Sequence, residues 1–424
     1  MQKILISLAI LLPIFTSNAS GFEASVAVTC ANGLYRSPAG SLAALTPPLT
    51  PSASPGPRYT LLDGEQGNLS DPAAPLICTG GTLRGRDGAA WTRLDFRATP
   101  SVFAAKDGTK LNGLLLEPMQ QKFKPPLVIF AHGSEKTSPI RQYYQLMFTG
   151  QNVSTFFYDK RGTGESKGIY TQDFTRLADD AASAVREARR LAVGRYSRIG
   201  LYGGSQGGWV APAAALEAHV DFVEIAFGMV ATPIEQDQWQ VDVQLKERGF
   251  PDSILPKVHE VTKATADVAR SDFSAHFDEL ELVRKTYGHE AWFDKIEGQY
   301  SGELLQGKIS QAKDESPQVP WDYRSENVLK KLRIPQLWIL AKDDSMAPSA
   351  PTIARLHALQ KAGANIKILV FPKTDHGIRL YTVDAEGQHH SYRMADGYLR
   401  LLSDWAKQTW QPPYGESSSD DATN

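Results

Sequence analysis

Residues 197–215 read SRIGLYGGSQGGWVAPAAA. Short apolar residues lead into a glycine-rich turn, and an Ala-rich, helix-like segment follows. Ser205 stands at the apex, flanked as Gly203-Gly204-Ser205-Gln206-Gly207. A strand that turns abruptly into a helix forces its apex residue into a strained conformation. A Cβ two residues to either side would collide with the neighbouring strand or helix, a physical reason for Gly203 and Gly207. Such a turn lifts the serine oxygen above the sheet edge, at a helix N-terminus, where backbone N–H groups and the dipole favour developing negative charge. The spacing makes Ser205 a candidate nucleophile.

The surroundings support that reading. From residue 99 onward, short apolar runs alternate with helical patterns. PLVIFAHG, VSTFFYDKRGTGES, RIGLYGG, FVEIAFG, PQLWILA and IKILVFP read as strands. LADDAASAVREARRLAV is amphipathic, with Leu177, Ala181, Ala184, Val185, Ala188 and Leu191 on one face. Repeated β-α-β with continuous apolar strands predicts a mostly parallel sheet covered by helices on both faces, an α/β fold. The alternation breaks over 234–325, which is charged, helical in pattern and rich in aromatics from Trp239 to Tyr323. That segment reads as an inserted helical cap folded over Ser205, its aromatics favouring an apolar acyl or aryl group. Core segments of 99–233 and 326–410 flank it.

Residues 20–98 read differently. LYRSPAGSLAAL, YTLLDGEQGNL and TLRGRDGAAWTRLDF are hairpin-like, with Gly-containing turns, and TPPLTPSASPGP is a Pro-rich connection. They predict a small β-rich domain. The final stretch 411–424 is polar and acidic and reads as a disordered tail.

The first residues, MQKILISLAILLPIFTSNASGF, have the form of a secretory signal: Lys3, an apolar run too short to span a bilayer, then small residues that place cleavage after Ala19. Residues 1–19 are thus expected to be removed and the protein to be periplasmic or secreted. Its two cysteines, Cys30 and Cys78, are then expected to form a disulfide. With 45 basic and 47 acidic residues and a formal net charge of −2, nothing favours nucleic acid or a charged membrane as a partner. No later stretch is apolar and long enough for a membrane span. No His/Glu spacing reads as a zinc ligand set, and no cofactor is expected.

From 99 to about 410 the chain resembles the α/β-hydrolase superfamily, and in AHGS, YDKRGTGES and GGSQGGW it is similar to bacterial serine hydrolases of the esterase and prolyl-peptidase-like type. The resemblance does not reach residues 20–98. It implies an α/β-hydrolase fold and a chain order of Ser, then acid, then His. His376, in FPKTDHGI after the last strand, takes the place of general base. The acid is Asp344 or Asp343. The family's acid commonly lies four residues before a proline, and Pro348 selects Asp344. The resemblance also implies two oxyanion donors, the backbone N–H groups of Gln206 and Ser134. Glu135 stands where the family often has glycine, and could pair with a cationic substrate group. Asp375 reads as loop-shaping and His132 as structural, while His389 and His390 are candidates for substrate contact. Asp159, Arg161 and Gly162 are expected to brace the loop beneath the site.

The leading expectation is an exported serine hydrolase acting on a small-molecule ester through an acyl-enzyme. An exopeptidase or amidase acting on a short peptide-like substrate is the alternative, since the same triad cleaves both. A catalytically idle binding protein is disfavoured by the ordered Ser, Asp and His, and an aspartate-nucleophile hydrolase by the serine at the elbow.

Overall fold

Strands that are apolar on both faces must be covered on both faces. The computed structural model describes residues 30–48, 56–119, 123–385 and 387–422 and meets that demand with a large mixed sheet. The expected signal segment 1–19 and most of the Pro-rich connection lie outside the described residues. We label the sheet's strands β1 (Phe96–Ala104), β2 (Lys110–Pro118), β3 (Leu127–Ala131), β4 (Ser154–Tyr158), β5 (Ile199–Gly204), β6 (Phe222–Ala226), β7 (Gln336–Ala341) and β8 (Ile366–Phe371). Their spatial order is β1-β2-β4-β3-β5-β6-β7-β8. The β1–β2 hairpin turns at Asp107-Gly108 and pairs antiparallel with β4. From β4 to β8 every neighbour is parallel. Parallel pairing delivers the C-terminal ends of β3, β5, β7 and β8 to one edge, and with them the loops that carry Ser134, Ser205, Asp344 and His376.

Helices α1 (Tyr143–Gly150), α2 (Phe174–Leu191) and α3 (Gly207–Ala218) cover the sheet. Asp173 caps α2 by accepting from the Thr175 and Arg176 N–H groups, and Leu177, Ala181, Ala184, Val185 and Ala188 are its buried face. The segment from α4 (Pro233–Glu247) through α5 (Leu255–Arg270) and α6 (Phe277–Tyr287) is helical. A capping box between Thr232 and Glu235 starts it. Its aromatics largely bury one another: Phe273, Trp292 and Tyr300 pack with Val241, Val261 and Leu304 in a cluster of their own.

The N-terminal region forms a five-stranded antiparallel sheet, with Gly33–Arg36 pairing Leu42–Thr46 and Arg58–Leu61 pairing Gln66–Asn68. The third expected hairpin forms elsewhere. Leu76–Thr79 pairs with Thr82–Gly85 around Gly80-Gly81, whose φ values of 56° and 77° suit a tight turn, and the Asp87-Gly88 turn closes a single bridge, Arg84 to Ala90. This region is docked rather than tethered. Leu34, Leu42 and Ala44 share a buried cluster with Leu146, Met147 and Phe148 of α1. A Cβ on Gly150 would lie 2.1 Å from the Leu34 side chain, so a larger residue there would have to push that buried leucine aside. The Met394 N–H donates to the Gly64 carbonyl at 3.0 Å and the Arg393 guanidinium to the Asp63 carbonyl at 2.8 Å.

The tail corrects the sequence reading. Residues 411–422 are ordered: Ser418–Ser419 pairs antiparallel with β8, and Asp421 accepts from the Ile368 N–H at 2.8 Å and from Gln360 at 2.9 Å. The exposed edge of β8 offers unpaired backbone groups that any extended chain can satisfy, polar or not. Composition carries no sign of that pairing.

Cys30 and Cys78 are joined in a disulfide across 48 residues. Closing a loop of that length constrains the unfolded chain by about 4 kcal/mol in the chain-entropy model. The double variant Cys30→Ser/Cys78→Ser is expected to lose stability of that order in equilibrium denaturation. An unchanged midpoint and slope would show that docking onto α1 alone holds the region.

Candidate active site

Ser205 has φ 53°, a left-handed conformation that costs a non-glycine residue about 1–3 kcal/mol. Its surroundings hold it there. The Ser205 N–H donates to the Ala226 carbonyl at 3.1 Å, and the Gly208 N–H returns to the Ser205 carbonyl at 2.8 Å. A Cβ on Gly203 would lie 2.3 Å from the Gly207 carbonyl oxygen, and one on Gly207 would lie 2.1 Å from the Ala131 carbonyl oxygen. Both are backbone collisions with no side chain to move aside, so the turn requires glycine at each position.

The structure brings Ser205, His376 and Asp344 together. Ser205 Oγ lies 3.1 Å from His376 Nε2, and His376 Nδ1 lies 3.1 Å from each oxygen of Asp344. The Asp344 carboxylate is buried and accepts from the Met346 N–H at 3.0 Å and the Ala347 N–H at 2.7 Å. Asp343 is turned away. Its N–H donates to the Thr374 carbonyl at 2.9 Å and its carboxylate faces the Tyr381 hydroxyl. Phe227 presents its ring to His376 at 5.0 Å between centroids. Burial works to lower the His376 pKa, but the charge and hydrogen bond of Asp344 outweigh it and raise the pKa above the usual value.

Asp375 organises the loop around the histidine. It accepts from the His376 N–H at 2.7 Å, the Ser345 N–H at 2.8 Å and His389 Nδ1 at 2.9 Å. His389 stacks on Tyr381 and is buried in this network, and His390 pairs with Asp384 at the surface. Neither reaches the cavity beside Ser205.

Among the described residues, neither the Gln206 N–H nor the Ser134 N–H donates to a protein acceptor. Gln206 lies at the start of α3, and Ser134 lines the cavity with Ser205. Lys160 is a determinant of this loop that the sequence reading passes over. Its buried ammonium donates to the Gly133 carbonyl at 2.5 Å. In a trans peptide the carbonyl and the following N–H point in opposite directions. Lys160 therefore turns the Ser134 N–H away from itself and polarises that peptide, which strengthens the N–H as a donor. Glu135 belongs to the same cluster. Its Oε1 accepts from His132 Nδ1 at 3.0 Å, and Lys160 is close by. Burial opposes ionisation of Glu135, yet His132 and Lys160 hold its pKa down at about 2. Burial pushes Lys160 down to about 8 against the pull of Glu135, and lowers the pKa of His132, whose ring is then neutral with the proton on Nδ1. Arg161 braces the loop from below: it forks onto Asp180 at 2.7 and 2.6 Å and onto Asp107 at 2.8 Å. Asp159 accepts from Asn112 at 3.1 Å and from the Glu165 N–H at 2.9 Å.

Ser205 opens into a cavity of about 770 Å³. Here the cap expectation fails: no described residue of 234–325 lines the cavity. Most of the cap aromatics are spent on the cap's own cluster, Trp239 and Tyr323 pack on the main core, and the cap meets the acid loop through Gln236, which donates to the Met346 carbonyl at 3.1 Å. The wall comes instead from Thr46, Pro47, Arg58, Thr60 and Gln66 of the N-terminal sheet, opposite core aromatics that include Phe130, Tyr143, Tyr144 and Phe227. Among the described residues, no group of three or more His, Cys, Asp or Glu could hold a metal ion, and no helix is long and apolar enough to cross a membrane.

A strained serine between a parallel strand and a helix, hydrogen-bonded to a histidine from the last strand's loop, defines an α/β-hydrolase of the esterase/peptidase type. A family model described as serine aminopeptidase, S33, matches residues 124–380, and the chain belongs to that family. It is 33% identical over 109 residues to the uncharacterized protein YfhR of Salmonella typhimurium and 30% identical over 108 residues to YfhR of Escherichia coli K12. Those stretches cover 25% of this chain and 37% of the relatives' length. Among solved structures, a Pyrococcus furiosus esterase overlaps 67% of this chain and 84% of its own at 15% identity and a TM-score of 0.43. A Pyrococcus horikoshii acylaminoacyl peptidase overlaps 80% of this chain and 50% of its own at 16% identity and a TM-score of 0.40. Overlaps this loose carry no argument about substrate.

The raised His376 pKa has a pH signature. A base must be neutral to accept the serine proton, so kcat/KM is expected to rise with pH through a pKa above the usual 6.5. Asp344→Asn removes the raising charge; it should move that limb to lower pH and cut kcat by several powers of ten, with Asp343→Asn far milder. The reverse order of damage would place the orienting carboxylate at Asp343. Lys160→Met, which frees the Gly133–Ser134 peptide, is expected to lower kcat on the order of tenfold with little change in KM. A pure KM effect would assign Lys160 to substrate binding instead.

Proposed function

We propose that the protein is an exported serine hydrolase that cleaves carboxylic esters through an acyl-enzyme intermediate. The observation that carries this is the continuous hydrogen-bonded path from Ser205 Oγ through His376 to the buried Asp344. Ser205 Oγ attacks the ester carbonyl while His376 Nε2 takes its proton. Asp344 stabilises the imidazolium, and the N–H groups of Gln206 and Ser134 receive the oxyanion. His376 then protonates the departing alcohol. Water repeats the sequence and releases the acid. Export is supported by residues 1–19 of the sequence and by the Cys30–Cys78 disulfide, which persists in oxidising compartments.

Two features support esters over peptides. The cavity presents aromatic surface beside the nucleophile. Glu135 already accepts a hydrogen bond from His132 and lies in the field of the Lys160 ammonium, so an incoming ammonium would have to compete for it. The peptidase alternative is supported by the same carboxylate, which is ionised and lines the cavity, and by the description of the family.

A fluorophosphonate is expected to label Ser205, as mass spectrometry of the peptide would show; labelling elsewhere would overturn the nucleophile. On the ester reading, p-nitrophenyl esters turn over well and free-amino anilides poorly. Glu135→Gln should then change ester kcat/KM by less than about tenfold, or about 1.4 kcal/mol. Efficient anilide cleavage abolished by Glu135→Gln would replace the esterase with an aminopeptidase.

A further inference from the structure

The cavity beside Ser205 carries positive charge that its own walls do not balance. Arg58 reaches it from the N-terminal sheet, and Arg379 from the first strand of the hairpin that follows the His376 loop. Both are half-buried. The neighbouring Arg393 pairs with Asp63, and Arg161 pairs with Asp107 and Asp180. Among the described residues, neither Arg58 nor Arg379 has such a carboxylate. Arg379 stands beside the Tyr143 hydroxyl, itself part of the cavity wall. Among the described lining residues the one carboxylate is Glu135, which accepts from His132 and feels the nearby Lys160 charge.

A half-buried guanidinium without a counter-ion has lost part of its hydration with no opposite charge to offset it. Its planar fork matches a carboxylate with two parallel hydrogen bonds. The two arginines come from chain segments more than 300 residues apart, joined where the Met394 N–H meets the Gly64 carbonyl at 3.0 Å, so the docked N-terminal region completes the feature. Resting on the esterase reading above, we infer that Arg58 and Arg379 form an anion subsite of the active-site cavity and that the substrate is an ester bearing a carboxylate beyond an apolar or aromatic spacer. The aromatic wall accepts the spacer, Ser205 meets the ester carbonyl, and the arginines hold the carboxylate. This gives the N-terminal region a role in choosing substrate.

The test uses two matched pairs on the mature protein. The 4-nitrophenyl half-ester of adipic acid against 4-nitrophenyl hexanoate places the carboxylate on the acyl side. 4-Acetoxybenzoate against its methyl ester places it on the alcohol side. The acid of at least one pair is expected to be favoured at least tenfold in kcat/KM. That ratio should fall toward one in Arg58→Gln, Arg379→Gln and the double variant, with melting curves confirming that they fold and lysine variants standing in where they do not. A ratio near one for both pairs in the wild type, or an acid preference that survives the double variant, overturns the subsite. If none of the four esters turns over, the esterase reading falls, and calorimetry with adipate alone decides the subsite. Heat that disappears in the double variant upholds it; no heat in the wild type refutes it.

Discussion

The edge of the sheet depends on one close approach, the packing of Gly207 against the Ala131 carbonyl. A Cβ on Gly207 would fall 2.1 Å from that oxygen, so only glycine lets the first turn of α3 lie against the end of β3. Two things meet there. The end of β3 carries the loop 132–135, and the start of α3 carries Ser205 and Gln206. Their distance apart is set by backbone contact rather than by mobile side chains. Ser205 and the backbone N–H groups of Gln206 and Ser134 are therefore held in place by backbone packing, and on the proposed mechanism no reorganisation is needed as charge develops. The strain at Ser205 is the cost of that contact, held by its hydrogen bonds to β6 and α3.

Two carboxylates near Ser205 are put to opposite uses by their surroundings. Asp344 is sealed from solvent and oriented by two backbone N–H groups, so its remaining capacity points at His376. Glu135 is half-exposed, hydrogen-bonded to a neutral His132 and within the field of the buried Lys160. The first raises the pKa of His376; the second closes a charge cluster that shapes a loop. Lys160 links this cluster to the loop beside Ser205, because the Gly133 carbonyl it holds and the Ser134 N–H belong to one peptide unit.

The N-terminal region and the helical insertion exchange the parts that their sequences suggest. The insertion has the aromatic residues of a substrate lid, yet it buries most of them in its own core and sets Trp239 and Tyr323 against the main core. The N-terminal region has a thin core of its own, and it packs Leu34 and Leu42 against α1 and so becomes a wall of the cavity. A segment with few apolar residues gains most by docking onto a larger surface, since burial of each Leu stabilises by about 1.5–3 kcal/mol.

Local rules decide much of this protein. The parallel sheet follows from apolar strands spaced by amphipathic helices. The elbow follows from two glycines around Ser205, and the family's chain order brings Asp344 and His376 into consideration because each follows a strand directly. Those signals lie within a few residues of what they specify. What the tertiary structure alone decides is non-local. Arg58 and Arg379 meet one cavity from opposite ends of the chain, and Lys160 reaches a carbonyl 27 residues away. The polar tail becomes a strand because β8 has an open edge. Single positions carry no trace of such pairings, for each depends on where another segment comes to rest. A backbone edge or an unbalanced charge exists only once the chain has folded.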